Sequence, residues 1–144
     1  MKTRILGIDF GIARIGLALS DENKIIAQPL HVITMEKRLD PTLKKLKDWI
    51  SSHAKENGYT IEAIVVGMPF TLKGEHGWIA DETHHFIKKL KGHFSCPIHV
   101  LDERLTTALA ERTLKEANLS RKKRAKHKDK VAATIILQNY LDLR

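Results

Sequence analysis

The 144-residue sequence has a single cysteine, Cys96, and no apolar run long enough to cross a membrane. One cysteine excludes an internal disulfide, so the chain suits a reducing compartment and we expect a cytoplasmic location. Asp9 interrupts the first apolar run far short of a signal-peptide core, so we expect no membrane partner. Internal repeats and low-complexity linkers are also missing. We therefore predict one domain over residues 1–144, large enough to bury its own core.

Negative charge is in short supply, because 25 Lys and Arg outnumber 17 Asp and Glu and leave a net charge of +8. The excess is concentrated in residues 121–130, RKKRAKHKDK, which hold seven Lys or Arg and one Asp. We call these residues the basic segment. A focused positive charge predicts a polyanionic partner, with a merely solvated face as the alternative. Like charges repel one another, so we predict that the basic segment is a mobile loop until an anion orders it.

Residues 4–20, RILGIDFGIARIGLALS, predict a β-hairpin whose first strand carries Asp9. A carboxylate in an apolar strand loses its hydration, so Asp9 either accepts hydrogen bonds or meets a cation. Gly7 and Gly11 lack side chains beside it, which predicts that a phosphate and its metal can come close. A structural acid in a glycine-rich turn explains the hairpin equally well at this point.

The rest of the pattern predicts an element order of β-β-β-α-β-α-β-α-α. Pro29 suggests that the third strand is an edge strand or carries a bulge. Trp49 lies on the apolar stripe of the first helix and is predicted to be in the core. The predicted elements after the hairpin are a strand at 25–34, a helix capped by Asp40 and ended by Asn57-Gly58, a buried strand at 61–67, a polar loop at 71–78, a helix at 79–90, a strand at 97–101, a helix at 106–117 and a last helix starting near Asp129.

Acidic residues recur where this order would bring chain segments together. Asp102 and Glu103 follow the strand at 97–101, and only one of them can share the sheet face of Asp9, because neighbouring strand residues point to opposite faces. An N-terminal cap with an Arg104 ion pair is the alternative. Asp129 is either a helix-start acid or a third metal ligand. The four histidines between positions 76 and 93 do not match the usual zinc spacing.

Four motifs together resemble the YqgF family, also called RuvX, whose members are described as Holliday junction resolvases or pre-16S ribosomal RNA nucleases. The resemblance implies an α/β fold of the ribonuclease H type, in which a mixed five-stranded sheet of three antiparallel and two parallel strands is flanked by helices. Ile12, Ala13 and Trp78 depart from the family pattern, since they stand where a hydroxyl residue, a Lys and an Arg are common. The four motifs are Gly7–Gly11 with Arg14–Gly16, Val66–Pro69 with Lys73-Gly74, Asp102–Thr107, and Asp129–Ala133 with Ile136–Gln138.

The resemblance implies that Asp9, Glu103 and Asp129 are catalytic and hold Mg²⁺ or Mn²⁺. Hard oxygen ligands suit these ions, and two of them about 3.5–4 Å apart support phosphodiester hydrolysis. The basic segment would hold the backbone of pre-ribosomal RNA or branched DNA by charge. The expected nucleic-acid contacts are Arg14, Lys73, Arg104, Arg121, Lys122, Lys123, Arg124, Lys126, Lys128 and Lys130.

The leading hypothesis is a metal-dependent endonuclease that processes the 5′ end of pre-16S ribosomal RNA, and the alternative substrate is a Holliday junction. A non-catalytic protein that binds the ribosome or its RNA is the runner-up from another class. An actin-like ATPase is a third hypothesis, because glycine-rich hairpins also cradle phosphates, but such ATPases close two domains on the nucleotide. Ribosomal particles are a further expected partner, and the sequence leaves open whether the protein is a monomer or a homodimer.

Overall fold

The computed structural model describes residues 2–69, 78–102 and 121–144, with the side chains of the last range described from Asp129 onward. These ranges contain a five-stranded sheet with the strand order β3-β2-β1-β4-β5. The predicted helix at 106–117 and most of the predicted loop at 71–78 lie outside them. The strands are β1 Lys2–Phe10, β2 Arg14–Ser20, β3 Ala27–Thr34, β4 Tyr59–Met68 and β5 Ile98–Asp102.

The sheet is mixed, as the sequence predicted. β1, β2 and β3 form an antiparallel meander, while β4 pairs in parallel with β1 and β5 pairs in parallel with β4. Pro29 lies on β3, an edge strand, and its register with β2 shifts between Leu17 and Ala18. Both proposals for this proline are therefore confirmed, because an edge position and a bulge each spare a missing N–H donor.

The described helices are α1 Leu39–Asn57, α2 Trp78–Leu90 and α3 Arg121–Leu143. α1 ends as predicted at Gly58, whose φ of 68° is the left-handed conformation that favours glycine. Its start differs from the prediction, because the cap is Arg38, without a side-chain capping bond, and Asp40 lies in the first turn. The acid there faces the positive end of the helix dipole, which stabilises the helix without a capping bond.

α3 begins eight residues earlier than predicted, at Arg121 instead of near Asp129. The prediction that the basic segment is a loop is therefore wrong, since its backbone is helical. Lys, Arg and Ala are among the best helix formers, and a helix spreads successive side chains around its axis. The high helix propensity offsets the electrostatic repulsion between like charges, and the spread of side chains reduces it. The remainder of α3 packs on the sheet as a helix, which favours helical backbone in the adjoining basic segment.

The sheet separates two apolar clusters. On one face, Leu6, Ile8 and Phe10 pack with α1 and α2, and Trp49 lies at the margin of this cluster between the rings of His31 and His53. On the other face, Ile5 and Val65 pack with α3. Gln138 of α3 also accepts a hydrogen bond from the N–H of Ala27, at 2.9 Å. None of the helices in the described ranges is long and apolar enough to cross a membrane.

Candidate active site

Asp9 lies next to the last residue of β1, on the sheet face that α3 covers. Leu6, Ile8 and Phe10 face α1 and α2, and alternation along a strand places Asp9 with Ile5 on the opposite face. Its cross-strand partner is Gly16 of β2. Direct cross-strand partners project to the same face, so whatever packs over Gly16 lies beside Asp9.

The residue over Gly16 is Asp129. A Cβ placed on Gly16 would collide with the carbonyl oxygen of Asp129 and lie 2.6 Å from its carbonyl carbon. The missing side chain therefore lets α3 lie directly on β2, and it brings Asp129 next to Asp9, 120 positions earlier in the chain. Gly16 is part of a motif in the sequence, but no local pattern predicts its contact with Asp129.

Gly7 and Gly11 both have structural contacts in the hairpin and its packing. A Cβ on Gly7 would lie 2.7 Å from Cβ of Leu137 and 3.1 Å from the carbonyl oxygen of Ala133, so α3 fills the space beside it. Gly11 closes the hairpin turn, where its N–H donates to the carbonyl of Arg14 at 2.9 Å. The predicted open approach for a phosphate is wrong at Gly7, because α3 fills the space, and it stays a prediction at Gly11, where a Cβ would meet only the backbone of Arg14. Ala133 is fully buried.

Arg14 binds Asp129 in the described structure. Its Nε donates to Oδ2 of Asp129 at 2.6 Å, and the two side chains are 33% and 19% exposed. This is a short, charge-assisted contact between residues 115 positions apart. Arg14 was expected to contact nucleic acid, and only its charge could have suggested the ion pair. The carboxylate of Asp129 is therefore already paired with a positive charge, the guanidinium of Arg14.

The side chains of β5 show which face of the sheet Asp102 lies on. Ile98 packs with the α1 and α2 cluster, whereas Leu101 packs with the α3 cluster and the ring of His99 stacks on Tyr140 of α3. Alternation then places Asp102 on the face away from Asp9. Glu103, Arg104 and Lys73 lie outside the described residues. Across residues 2–69, 78–102 and 129–144, no three His, Cys, Asp or Glu side chains gather into a possible metal site.

The basic segment forms the amino-terminal turns of α3, the end of the helix that carries Asp129. Lys130 is half-buried. Partial burial, and then the positive charges of Lys130 and His53, hold the pKa of His31 below its ordinary value, which places Lys130 near the edge strand β3. The remaining predicted contacts on this stretch are Arg121, Lys122, Lys123, Arg124, Lys126 and Lys128.

Comparison with known proteins agrees with this architecture. A solved complex of T. thermophilus RuvC with a Holliday junction substrate aligns at a TM-score of 0.57 and 15% identity, covering 99% of this chain and 95% of RuvC. The Fowlpox virus resolvase in complex with Holliday junction DNA aligns at a TM-score of 0.53 and 9% identity, covering 97% of each chain. At these identities the likeness establishes the fold, which is ribonuclease H-like.

The amino-acid sequence also matches known proteins over nearly its whole length. A protein of Protochlamydia amoebophila named "Putative pre-16S rRNA nuclease" is 51% identical over 142 residues, which cover 99% of this chain and 95% of that protein. The model of the RuvX family, described as Holliday junction resolvase, matches residues 3–143. With nearly the whole sequence matched in both comparisons, the chain belongs to the RuvX family.

Proposed function

We propose that residues 1–144 act as one nuclease domain, a metal-dependent endonuclease that hydrolyses phosphodiester bonds in structured nucleic acid. Pre-16S ribosomal RNA is the leading substrate, because the 51% identical relative is named for that RNA. A Holliday junction is the second candidate, since the family description names it. The observation that carries the proposal is the packing of Asp129 against Gly16, the cross-strand partner of Asp9, at one end of the sheet.

The proposed metal ligands are Asp9, Glu103 and Asp129. Carboxylate oxygens are the donors that Mg²⁺ and Mn²⁺ prefer, and the Arg14 guanidinium on Asp129 is consistent with a carboxylate that requires a positive partner. Glu103 is preferred to Asp102 because Asp102 lies on the sheet face away from Asp9. When bound, such a metal ion lowers the pKa of an attacking water and stabilises the leaving oxygen.

The protein's own side chains have separate tasks in this proposal. Asp9 and Asp129, fixed on β1 and α3, set the position at which a phosphodiester is cleaved. Arg14 balances the charge of Asp129 in the metal-free protein and gives up part of that contact to an incoming cation. The basic segment, on the same end of α3, draws the nucleic-acid backbone toward Asp129 by charge, which supplies affinity with little sequence reading.

A direct comparison of substrates tests the proposed function. Purified protein with Mn²⁺ is offered a pre-16S ribosomal RNA fragment and a four-way DNA junction of equal phosphate content, with Asp9→Asn as the inactive control. We expect Asp9-dependent cleavage of the RNA and weaker cleavage of the junction. Preferred cleavage of the junction would make DNA the substrate. Binding without Asp9-dependent cleavage of either would instead support the non-catalytic binding protein.

Substitution of Arg14 should strengthen metal binding. Arg14→Gln removes the positive charge that lies beside the carboxylate of Asp129. A unit charge about 6 Å from a bound divalent ion changes the affinity of the site for that ion by about tenfold at the dielectric constant of water. We expect a correspondingly lower Kd for Mn²⁺ in calorimetric titration. In EDTA the variant should lose roughly 1–2 kcal/mol of stability, between the values for exposed and buried pairs.

The matched control for that measurement is Arg4→Gln. Arg4 lies near the start of β1, where it approaches Glu22 at 3.7 Å, and it should not affect the Kd for Mn²⁺. A weaker Mn²⁺ affinity in Arg14→Gln would contradict the idea that Arg14 and the metal ion compete for the carboxylate of Asp129. It would mean that Arg14 orients Asp129 for the metal.

Neutralising the basic segment should weaken nucleic-acid binding and flatten its salt dependence. In a variant with Arg121, Lys122, Lys123 and Arg124 replaced by Gln, the slope of log affinity against log salt should fall by about 0.9 for each duplex phosphate that the variant no longer neutralises. Stability should change by no more than about 0.5 kcal/mol per site. Fluorescence anisotropy over a salt series measures the slope.

A second quadruple variant controls for total charge. Lys44, Lys55, Lys88 and Lys91 are exposed lysines on or next to α1 and α2, and their replacement by Gln removes the same charge elsewhere. This variant should keep most of the slope. If both variants lose it equally, the charge acts as a diffuse field and the basic segment has no special role.

A further inference from the structure

A cavity of about 310 Å³ with a mixed apolar and polar lining opens beside the hairpin turn, on the α1 and α2 side of the sheet. Trp78, the first residue of α2, forms one wall and Ile12 of the turn forms another, and they are 63% and 58% exposed. Phe10 is buried at the cavity and stacks on Phe86 with ring centroids 4.5 Å apart. Exposed aromatic and aliphatic side chains grouped around a cavity are a common feature of ligand-binding sites.

The cavity adjoins the proposed catalytic end of the sheet. Phe10 follows Asp9 directly, and three residues of chain span at most about 11 Å, so Ile12 lies within that distance of Asp9. Asp9 and Phe10 project to opposite faces of β1. A nucleic-acid strand that crosses this end of the sheet would therefore have its phosphate on the Asp9 side and a neighbouring nucleotide over the turn.

We propose that this cavity binds one unpaired nucleobase of the substrate, stacked on the ring of Trp78, close to the bond that is cleaved. The inference rests on the proposed nuclease function and narrows its substrate to nucleic acid that is single-stranded or bulged at the cleavage site. Base-on-aromatic stacking does not depend on base identity, because every base has a π-face. Base-paired nucleotides cannot enter, since their faces are covered by the neighbouring pairs.

The polar rim of the cavity fits a base and its phosphate. Glu82 lies one helical turn after Trp78 on the same side of α2 and can accept a hydrogen bond from an exocyclic amino group. Lys37 is exposed at the rim and can meet a phosphate. The second acid, Glu36, is already paired with Lys45 at 2.9 Å. A basic, apolar peptide would also suit two acids and a tryptophan, but it has no reason to bind next to Asp9.

Tryptophan fluorescence tests the inference without cleavage. Two RNA hairpins of equal phosphate number, one fully paired and one with a two-nucleotide bulge, are titrated into the protein in EDTA, and the loop of each hairpin is replaced by a polyethylene glycol linker that carries no base. The bulged hairpin should quench tryptophan emission and the paired hairpin should not. Trp78→Ala should abolish the quenching and weaken binding of the bulged hairpin about 5- to 150-fold, the range for one stacked base. Its affinity for the paired hairpin should be unchanged.

Three further variants sharpen the result. Trp78→Phe keeps a ring and should bind the bulged hairpin more tightly than Trp78→Ala. Trp49→Phe should keep the quenching, because Trp49 is stacked between His31 and His53. Ile25→Ala, at an equally exposed residue beyond the opposite end of β1, should bind both hairpins normally. The melting temperature of each Trp78 variant should match that of the parent protein.

Equal loss on both hairpins, or no loss on either, would overturn the base site. So would quenching of Trp78 by an alternating Lys-Leu peptide without quenching by the bulged hairpin, which would make the cavity a peptide site. The proposed function fails separately. If Asp9-dependent cleavage occurs without Trp78 quenching, only the base site is wrong, whereas quenching without cleavage of any substrate leaves the base site and removes the nuclease.

Discussion

Replacing Asp9 with asparagine is expected to reduce cleavage by orders of magnitude while leaving the metal-free protein at least as stable as the parent. An amide oxygen is a poorer ligand for a hard cation, so the position of a metal ion would be lost. Neighbouring carboxylates repel one another without metal, and the neutral isostere removes part of that repulsion. The gain in stability should be small, because Arg14 already offsets the charge of Asp129. Melts in EDTA and single-turnover cleavage in Mn²⁺ measure the two effects.

Asp21 supplies a matched control, because it is an acid with a visible structural role. Its Oδ1 accepts hydrogen bonds from the N–H groups of Ile26 and Ile25 at 3.0 and 2.7 Å, and these bonds hold the pKa of Asp21 below its ordinary value. The resulting stability is present above that ordinary value and is lost as the pH falls through the lowered pKa of the folded state. Asp21→Asn should therefore lower the melting temperature at neutral pH, flatten its acid dependence and leave cleavage per folded molecule intact.

The opposite result for Asp9→Asn, lower stability with normal cleavage, would mean that Asp9 is not an active-site residue. If Asp9 is a structural hydrogen-bond acceptor, the amide exchanges an acceptor for a donor and the protein should lose roughly 1–3 kcal/mol. A destabilised Asp9→Asn variant that still cleaves at the parental rate would therefore contradict a catalytic role for this carboxylate.

A single methyl group on Gly16 should both destabilise the protein and impair cleavage. In Gly16→Ala the new Cβ meets the backbone of Asp129, which cannot rotate away as a side chain could. We expect a loss of about 3 kcal/mol, the upper part of the usual range for overpacking. Cleavage per folded molecule should also fall, because α3 must move Asp129 away from Asp9. Urea melts and Mn²⁺-dependent cleavage at low temperature measure both.

Two other glycines separate the stability effect from the catalytic one. Gly7→Ala also presses on α3, at Leu137, but eight residues beyond Asp129. It should therefore destabilise the protein but impair cleavage less than Gly16→Ala does. Gly92→Ala meets only the carbonyl oxygen of Lys89 at 3.3 Å and should have little effect on either quantity. If Gly16→Ala melts and cleaves like the parent protein, α3 is not held against β2 as the structure describes.

Local pattern was sufficient for most of the fold. The hairpin around residues 4–20, the buried strand β4 and the helix that ends at Gly58 follow from periodicity and turn residues, which act between near neighbours in the chain. The mixed sheet also followed, once the predicted order of elements and the four motifs had suggested a ribonuclease H-like fold. Asp9 and Asp129 were identified as candidates in the same way, from residue type and motif, whereas Glu103 lies outside the described residues and remains a proposal.

Tertiary contacts decided what each of these residues touches. Self-repulsion of the basic segment predicted a loop, but helix propensity and the packed continuation of α3 made it helical. Gly7 was predicted to leave room for a phosphate, yet Gly7 and Gly16 are both contact points for α3, because the space a glycine leaves depends on what packs over it. Arg14 and Asp129 form an ion pair across 115 positions. No local pattern encodes that pairing, since it arises only when α3 closes over the sheet.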